Sequence, residues 1–143
     1  MTTVRDVAAY ILRSAGEMTA MKLQKLCYYS QAWHLVWEEE PLFGDKIEAW
    51  ANGPVAPSLY DLHRGQFRVQ PDLVKNADAL PKHRASSVDA VLKFYGGQSA
   101  WELSNLTHSE RPWLDARGNL PLGASSHAEI TPASMAEYYG SLT

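Results

Sequence analysis

A chain of 143 residues with 45% hydrophobic and 20% charged content suffices for one ordinary domain with a real core and is short for two. Its net charge of -3, with both halves mildly acidic, excludes the basic stripe that phosphate neutralisation requires and argues against a nucleic-acid partner. The single cysteine, Cys27, rules out an internal disulfide, and an N-terminus without the basic and apolar regions of a signal peptide predicts a reducing, cytoplasmic setting.

The first predicted helix runs from Val4 to Ala15, with Val4, Val7, Ala8, Ile11, Leu12 and Ala15 on one face. Thr3 and Asp6 form a capping-box pattern, and Gly16 stands where the helix stops. Thr19 caps the second helix, which continues to Trp37 with almost no polar side. Leu23, Leu26, Cys27, Ser30, Trp33, His34 and Trp37 share one face, while Tyr28, Ala32, Leu35 and Val36 cover most of the other. Such a helix must be surrounded. Lys22, Gln24, Lys25 and Gln31 interrupt it too often for a membrane span, so its surroundings are protein.

Glu38, Glu39 and Glu40 before Pro41 place three negative charges at the negative end of that helix dipole. This is unfavourable by about 0.3 to 1 kcal/mol per charge at low salt. The run is either a solvated helix end or a docking point for a basic partner. A turn at 41–45 leads to Ile47–Val55, an extended segment ending in an Asn-Gly-Pro turn signal. Pro57 opens a short helix with Leu59, Tyr60 and Leu62 that Gly65 closes. From Gln66 to Arg84 the periodicity fails, which predicts a surface excursion with a two-stranded piece around Phe67 to Val69.

Helical spacing resumes at Ser87 with Val88, Val91, Leu92 and Tyr95, and ends at Gly96 and Gly97. Ser99 and Glu102 make a second capping box for a helix bearing Trp101, Leu103 and Leu106. Ser109 is read as the cap of a further short helix with Pro112 in its first turn. Residues 118–129 read as a loop. Thr131, Pro132 and the Ile130/Met135 staple start the last helix. The expected fold is mainly α, a single domain (1–143) of six or seven short helices around one central hydrophobic helix, with a minor β element.

The chemistry-bearing residues form no known motif. The five histidines include no HExxH pair and no two at i and i+4, and His108 with Glu110 lacks the P-C-x-x-C that a zinc deaminase needs. Cys27 and His34 share a face but stand about 10 Å apart along the axis, too far for a nucleophile and its base. Neither a G-x-S-x-G elbow nor a phosphate-binding glycine loop occurs. No catalytic residue, cofactor or metal is expected. Trp33, Trp50, Trp101 and Trp113 read as core, whereas Tyr60, His63 and Arg64, with Phe67 and Arg68 beyond them, are of types that interfaces favour.

Three ordered segments, KLQKLCYYSQAWH at 22–34, IEAWANGPV at 47–55 and LSNLTHSERPW at 103–113, together resemble the Panacea domain, the family of SocA-like antitoxins and phage-associated GepA proteins. The resemblance rests on Leu23, Lys25, Leu26, Tyr28, Tyr29, Gln31 and Trp33; on Ala49, Trp50, Gly53, Pro54 and Val55; and on Leu103, Ser104, Thr107, His108, Pro112 and Trp113. It implies a helical antitoxin, linked to phage defence, that neutralises a cognate toxin by direct contact, with no catalytic residues in its motifs. It also leaves room for a proteolytic adaptor that delivers the toxin to an ATP-dependent protease, for an enzyme reversing the toxin's chemistry, and for a homo-oligomer or a heterotetramer with toxin. The motif residues are expected to be scaffold, with Gln31, Thr107 and His108 forming a buried polar cluster. Partner contacts are expected at Glu38, Glu39, Glu40, Tyr60, His63, Arg64, Phe67 and Arg68.

Overall fold

The computed structural model describes residues 1–143. It opens with α1 (Val4–Ala15), whose Thr3 hydroxyl accepts from the Asp6 amide while the Asp6 carboxylate accepts from the Thr3 amide, the reciprocal cap expected from the sequence. A two-residue strand β1 (Met18–Thr19) leads into α2 (Ala20–Glu38), with Thr19 as its cap. Every residue from Leu23 to Ala32 is buried. The helix is enclosed by α1, α4 (Lys82–Tyr95), α5 (Ala100–His108) and α7 (Pro132–Gly140), and by β3 (Gly53–Val55). The mainly α architecture around a central helix therefore stands, with seven α-helices in one domain.

Enclosure forces the polar residues of α2 inward, where they meet loop backbone. The Gln24 side chain accepts from the Ala56 amide at 2.9 Å, and its amide nitrogen lies 3.3 Å from the Ala56 carbonyl. One turn and its repeat later, Gln31 accepts from the Leu42 amide at 2.7 Å and donates to the Phe43 carbonyl at 2.8 Å. Each glutamine imitates a neighbouring strand, satisfying donors and acceptors that are costly to bury alone.

The β element is more elaborate than the single extended segment expected. Residues 47–55 fold into a hairpin, β2 (Ile47–Trp50) turning at 51–52 into β3, so the Asn-Gly-Pro signal lies inside the segment rather than at its end. On its other edge β2 pairs with β5 (Glu129–Ile130), which spans the end of the expected loop and the first residue of the expected staple. After α3 (Pro57–His63), the strand at Phe67–Val69 is β4 (Arg68–Val69), and its partner is β1.

Two helix starts differ from expectation. Helix α4 begins at Lys82, not Ser87, because its first turn is polar and faces the end of α2: Arg84 donates to the carbonyls of Pro41 and Leu42. Helix α6 (Arg111–Arg117) starts after Glu110; Ser109 ends α5 instead, its hydroxyl donating back to the Leu106 carbonyl. Trp101, assigned to the core by its size, is 73% exposed on the first turn of α5. No helix is long and apolar enough to cross a membrane.

Candidate partner-binding surface

The motif residues gather in the interior. Lys25 is wholly buried, and its Nζ donates to the Pro54 carbonyl at 3.2 Å; burial lowers its ammonium to about 7. Thr107 is also wholly buried, with its hydroxyl donating to the Ser104 carbonyl. His108 stacks on Trp113 with ring centroids 4.1 Å apart, and its buried Nε2 has no partner. Burial first, then the charges of Lys25 and Arg117, push its imidazolium down, so the ring is held neutral. Trp113 donates to the Trp50 carbonyl, and the Arg117 guanidinium lies 4.9 Å from its ring. Lys25, Gly53, Pro54, Thr107, His108 and Trp113 thus tie α2, the hairpin and α5–α6 together.

Gln31 is not part of that cluster. The expected Gln31, Thr107 and His108 network does not form, because Gln31 is occupied by the 42–43 backbone. Tyr28 and Tyr29 belong to a different network, in which Tyr29 and Tyr139 both donate to one oxygen of Glu110 at 2.7 Å and Tyr28 bonds Tyr139 at 3.0 Å. Burial raises the Glu110 carboxyl while the two hydroxyls pull it down. Leu23 and Leu26 fill the core, and Pro112 is buried in the first turn of α6. Burial also pushes the Cys27 thiol up, which removes it as a nucleophile.

The exposed candidates fall in three places. At the C-terminus of α2, Glu38 and Glu39 are exposed, with Glu39 in the left-handed region at φ 55. Glu40 is not free: its Oε2 lies 2.9 Å from the Arg84 guanidinium and 3.3 Å from both His34 Nε2 and His83 Nε2. The lowered Glu40 carboxyl follows from those contacts, the two imidazoles foremost. Helix α3 places Tyr60 and His63 in a second location. His63 is 3% exposed, a correction to its reading as a surface residue, and its Nε2 accepts from the Gln24 amide at 3.0 Å. Both line a cleft of about 400 Å³ with Trp50 and His127. In the third place, Phe67 is 78% exposed and Arg68 pairs with Glu17 at 2.6 Å, while Arg64 caps the end of α3.

A fourth surface escapes the sequence pattern. Trp33 and Trp37, one turn apart on α2, stack with centroids 5.6 Å apart and face Ala90, Val91, Phe94 and Tyr95 of α4. The six residues line a groove of about 310 Å³ with no polar side chain other than the tyrosine and indole tips. Trp33 Nε1 donates to the Tyr95 hydroxyl at 2.8 Å, which fixes the floor. Trp37 is 46% and Phe94 74% exposed, so two large apolar side chains rim the groove in water. A helical wheel puts Trp37 with the core residues, and only its position beside three glutamates signals the surface. Phe94 lies one position off the α4 core face of Val88, Val91 and Tyr95.

The enclosed helical scaffold presents an apolar groove, an aromatic cleft and an acidic helix end at its surface. The family model described as antitoxin SocA-like, Panacea domain, matches residues 23–114, and the chain belongs to that family. The matched stretch runs from Leu23 in α2 to Leu114 in α6 and contains the Lys25, Gly53, Thr107, His108 and Trp113 interior. No curated protein and no solved structure matches the chain.

Proposed function

We propose that this chain, acting as one domain in the cytoplasm, is the antitoxin of a toxin–antitoxin pair and neutralises its toxin by direct contact across the groove between α2 and α4. The observation that carries this reading is the groove itself: a lining of six apolar and aromatic side chains, with Trp37 and Phe94 exposed at its rim, and Glu38 next after Trp37 in the chain. Apolar anchors that enter a pocket and complementary charges at its edge are the elements of a specific interface. The fitting occupant is a toxin segment whose apolar side chains are flanked by Lys or Arg. The motif residues Lys25, Tyr28, Tyr29, Gly53, Thr107, His108 and Trp113 act as scaffold, and the reading assigns no catalysis to them.

The test is co-expression with the neighbouring gene product as toxin. Direct blocking expects a stable complex, rescue at near one-to-one amounts, and rescue that survives loss of the host's ATP-dependent proteases. Rescue that disappears with those proteases would instead make the chain an adaptor, and rescue at catalytic amounts would make it an enzyme acting on the toxin's product. A complex that forms equally well with Trp37→Ala and Phe94→Ala combined would place the contact elsewhere, and size measurement of the complex distinguishes a heterodimer from a heterotetramer.

A further inference from the structure

Where α2 ends and α4 begins, two histidines and a glutamate converge on one point. His34 is wholly buried, and its Nδ1 lies 2.7 Å from Ser87 Oγ on α4. The Ser87 hydroxyl donates to the His83 carbonyl one turn back, at 3.4 Å. Either tautomer of His34 fits these contacts, with Nδ1–H donating to Ser87 Oγ or Nε2–H donating to Glu40. His34 Nε2 faces Oε2 of Glu40 at 3.3 Å. From the other side His83 Nε2 reaches the same oxygen, also at 3.3 Å.

We propose that His34 Nε2, His83 Nε2 and the Glu40 carboxylate form a binding site for a divalent transition-metal ion of the zinc class. The ligand atoms all lie within 4.8 Å of one another. The two 3.3 Å separations equal the edge of a tetrahedron whose metal–ligand bonds are about 2.0 to 2.1 Å, the lengths zinc takes with imidazole and carboxylate. Two histidines and one carboxylate are a recurring zinc set, and the half-exposed side chains of His83 and Glu40 leave the fourth position to water. With a metal on Nε2, His34 Nδ1–H would donate to Ser87 Oγ, 2.7 Å away, the outer hydrogen bond that holds a ligating histidine's ring and tautomer.

Burial lowers the His34 pKa, which favours the neutral imidazole that a metal requires. Arg84 approaches Glu40 Oε2 at 2.9 Å and is anchored by the carbonyls of Pro41 and Leu42. A turn of the carboxylate gives one oxygen to the metal and the other to Arg84, so the guanidinium becomes the carboxylate's outer partner. Its positive charge disfavours weakly held Mg2+ or Ca2+ and selects ions with strong imidazole affinity. Such a site clamps the first turn of α4 to the end of α2 and does not depend on the partner reading above.

The probe is Zn2+ added to untagged, chelator-stripped, full-length protein, followed by calorimetry and thermal melting, with Co2+ absorption reporting geometry. His83→Ala and Glu40→Gln alter half-exposed side chains and keep the fold; His127→Ala, a histidine outside the cluster, is the control. We expect one Zn2+ per chain, a melting temperature raised by several degrees, and visible Co2+ bands of tetrahedral intensity. His83→Ala and Glu40→Gln should lose about 10- to 100-fold in affinity together with the Co2+ bands, while His127→Ala keeps both. Binding that is absent, or equal in wild type and His83→Ala, overturns the site and leaves a hydrogen-bonded clip.

Discussion

Lys25 and Gly53 share one space: a β-carbon on residue 53 would stand 2.5 Å from Lys25 Cε and 3.1 Å from Thr107 Oγ1. Gly53 also has φ 119, a backbone region that is essentially closed to other residues. The glycine of the second motif is therefore required by the lysine of the first and the threonine of the third. Gly53→Ala should cost about 2 to 5 kcal/mol from backbone strain and overpacking together. Urea denaturation measures it, and a loss below about 1 kcal/mol would mean that the Lys25 chain swings aside freely.

Lys25 itself carries a pH signature. Burial lowers its pKa from 10.5 to about 7, so between those values the unfolded chain holds a proton that the folded chain does not. Its contribution to stability is therefore fullest above pH 10.5, falls as pH falls towards 7, and is flat below. Lys25→Met removes that slope and leaves the Pro54 carbonyl without its Nζ donor, a smaller cost of about 1 kcal/mol. We expect the variant to be more stable than wild type by about 1 to 4 kcal/mol at pH 7, with the difference shrinking towards pH 10. A variant less stable than wild type at pH 7 would show the buried ammonium to be net stabilising.

At the groove, truncation should separate binding from folding. Trp37→Ala and Phe94→Ala each remove a half-exposed or exposed rim, so melting should change little, whereas affinity for the cognate toxin should fall by about 2 kcal/mol or more apiece. Trp101→Ala, equally exposed on α5, serves as the comparison and should leave affinity unaltered. Equal losses at all three positions would indicate a contact surface unrelated to the groove.

Charge at the end of α2 should act on the rate of encounter. Joint reversal of Glu38 and Glu39 to lysine should slow association about tenfold at low salt, with the effect fading as the ionic strength rises. Glu40 should not behave like its neighbours, because its carboxylate is held by Arg84, His34 and His83, and its replacement should register in the melting temperature instead. Unchanged association kinetics after the double reversal would mean that the acidic end is only solvated.

The tyrosine network should fail as a unit. Glu110→Ala leaves the hydroxyls of Tyr29 and Tyr139 buried with one acceptor lost between them, at a cost of about 3 to 5 kcal/mol. Tyr139→Phe removes one donor and should cost about 1 to 2 kcal/mol. Additivity of Tyr29→Phe and Tyr139→Phe in a double-mutant cycle would show that the shared carboxylate does not couple them.

Much of the fold is legible locally. Thr3 with Asp6, Thr19, Ser99 with Glu102, and Thr131 with Pro132 start four helices where their caps say, because a cap bonds to an amide three residues away. Helix α4 and strand β5 were misjudged for the opposite reason. Pro81 offers no capping side chain, and the polar turn at 82–84 is stabilised by the carbonyls of Pro41 and Leu42. Ile130 pairs with Ile47, a partner distant in the chain and invisible to periodicity.

The surface was less legible than the scaffold. Tyr60 and His63 were singled out from residue type alone, yet the fold buries His63 against Gln24, while Phe94 and the convergence of His34, Glu40 and His83 carry no local signal. By itself the sequence determined the helices, their caps, the enclosure of the second helix and the family to which the chain belongs, since these depend on spacing within a few residues. Only the tertiary structure decided that Lys25 and Gln24 lie inside, which backbone groups Gln31 meets there, and that Trp37 and Phe94 lie outside. A helix apolar on every side does not say which of its polar groups will find a partner. Those partners are backbone carbonyls and amides 12, 29 and 32 residues away for Gln31, Lys25 and Gln24.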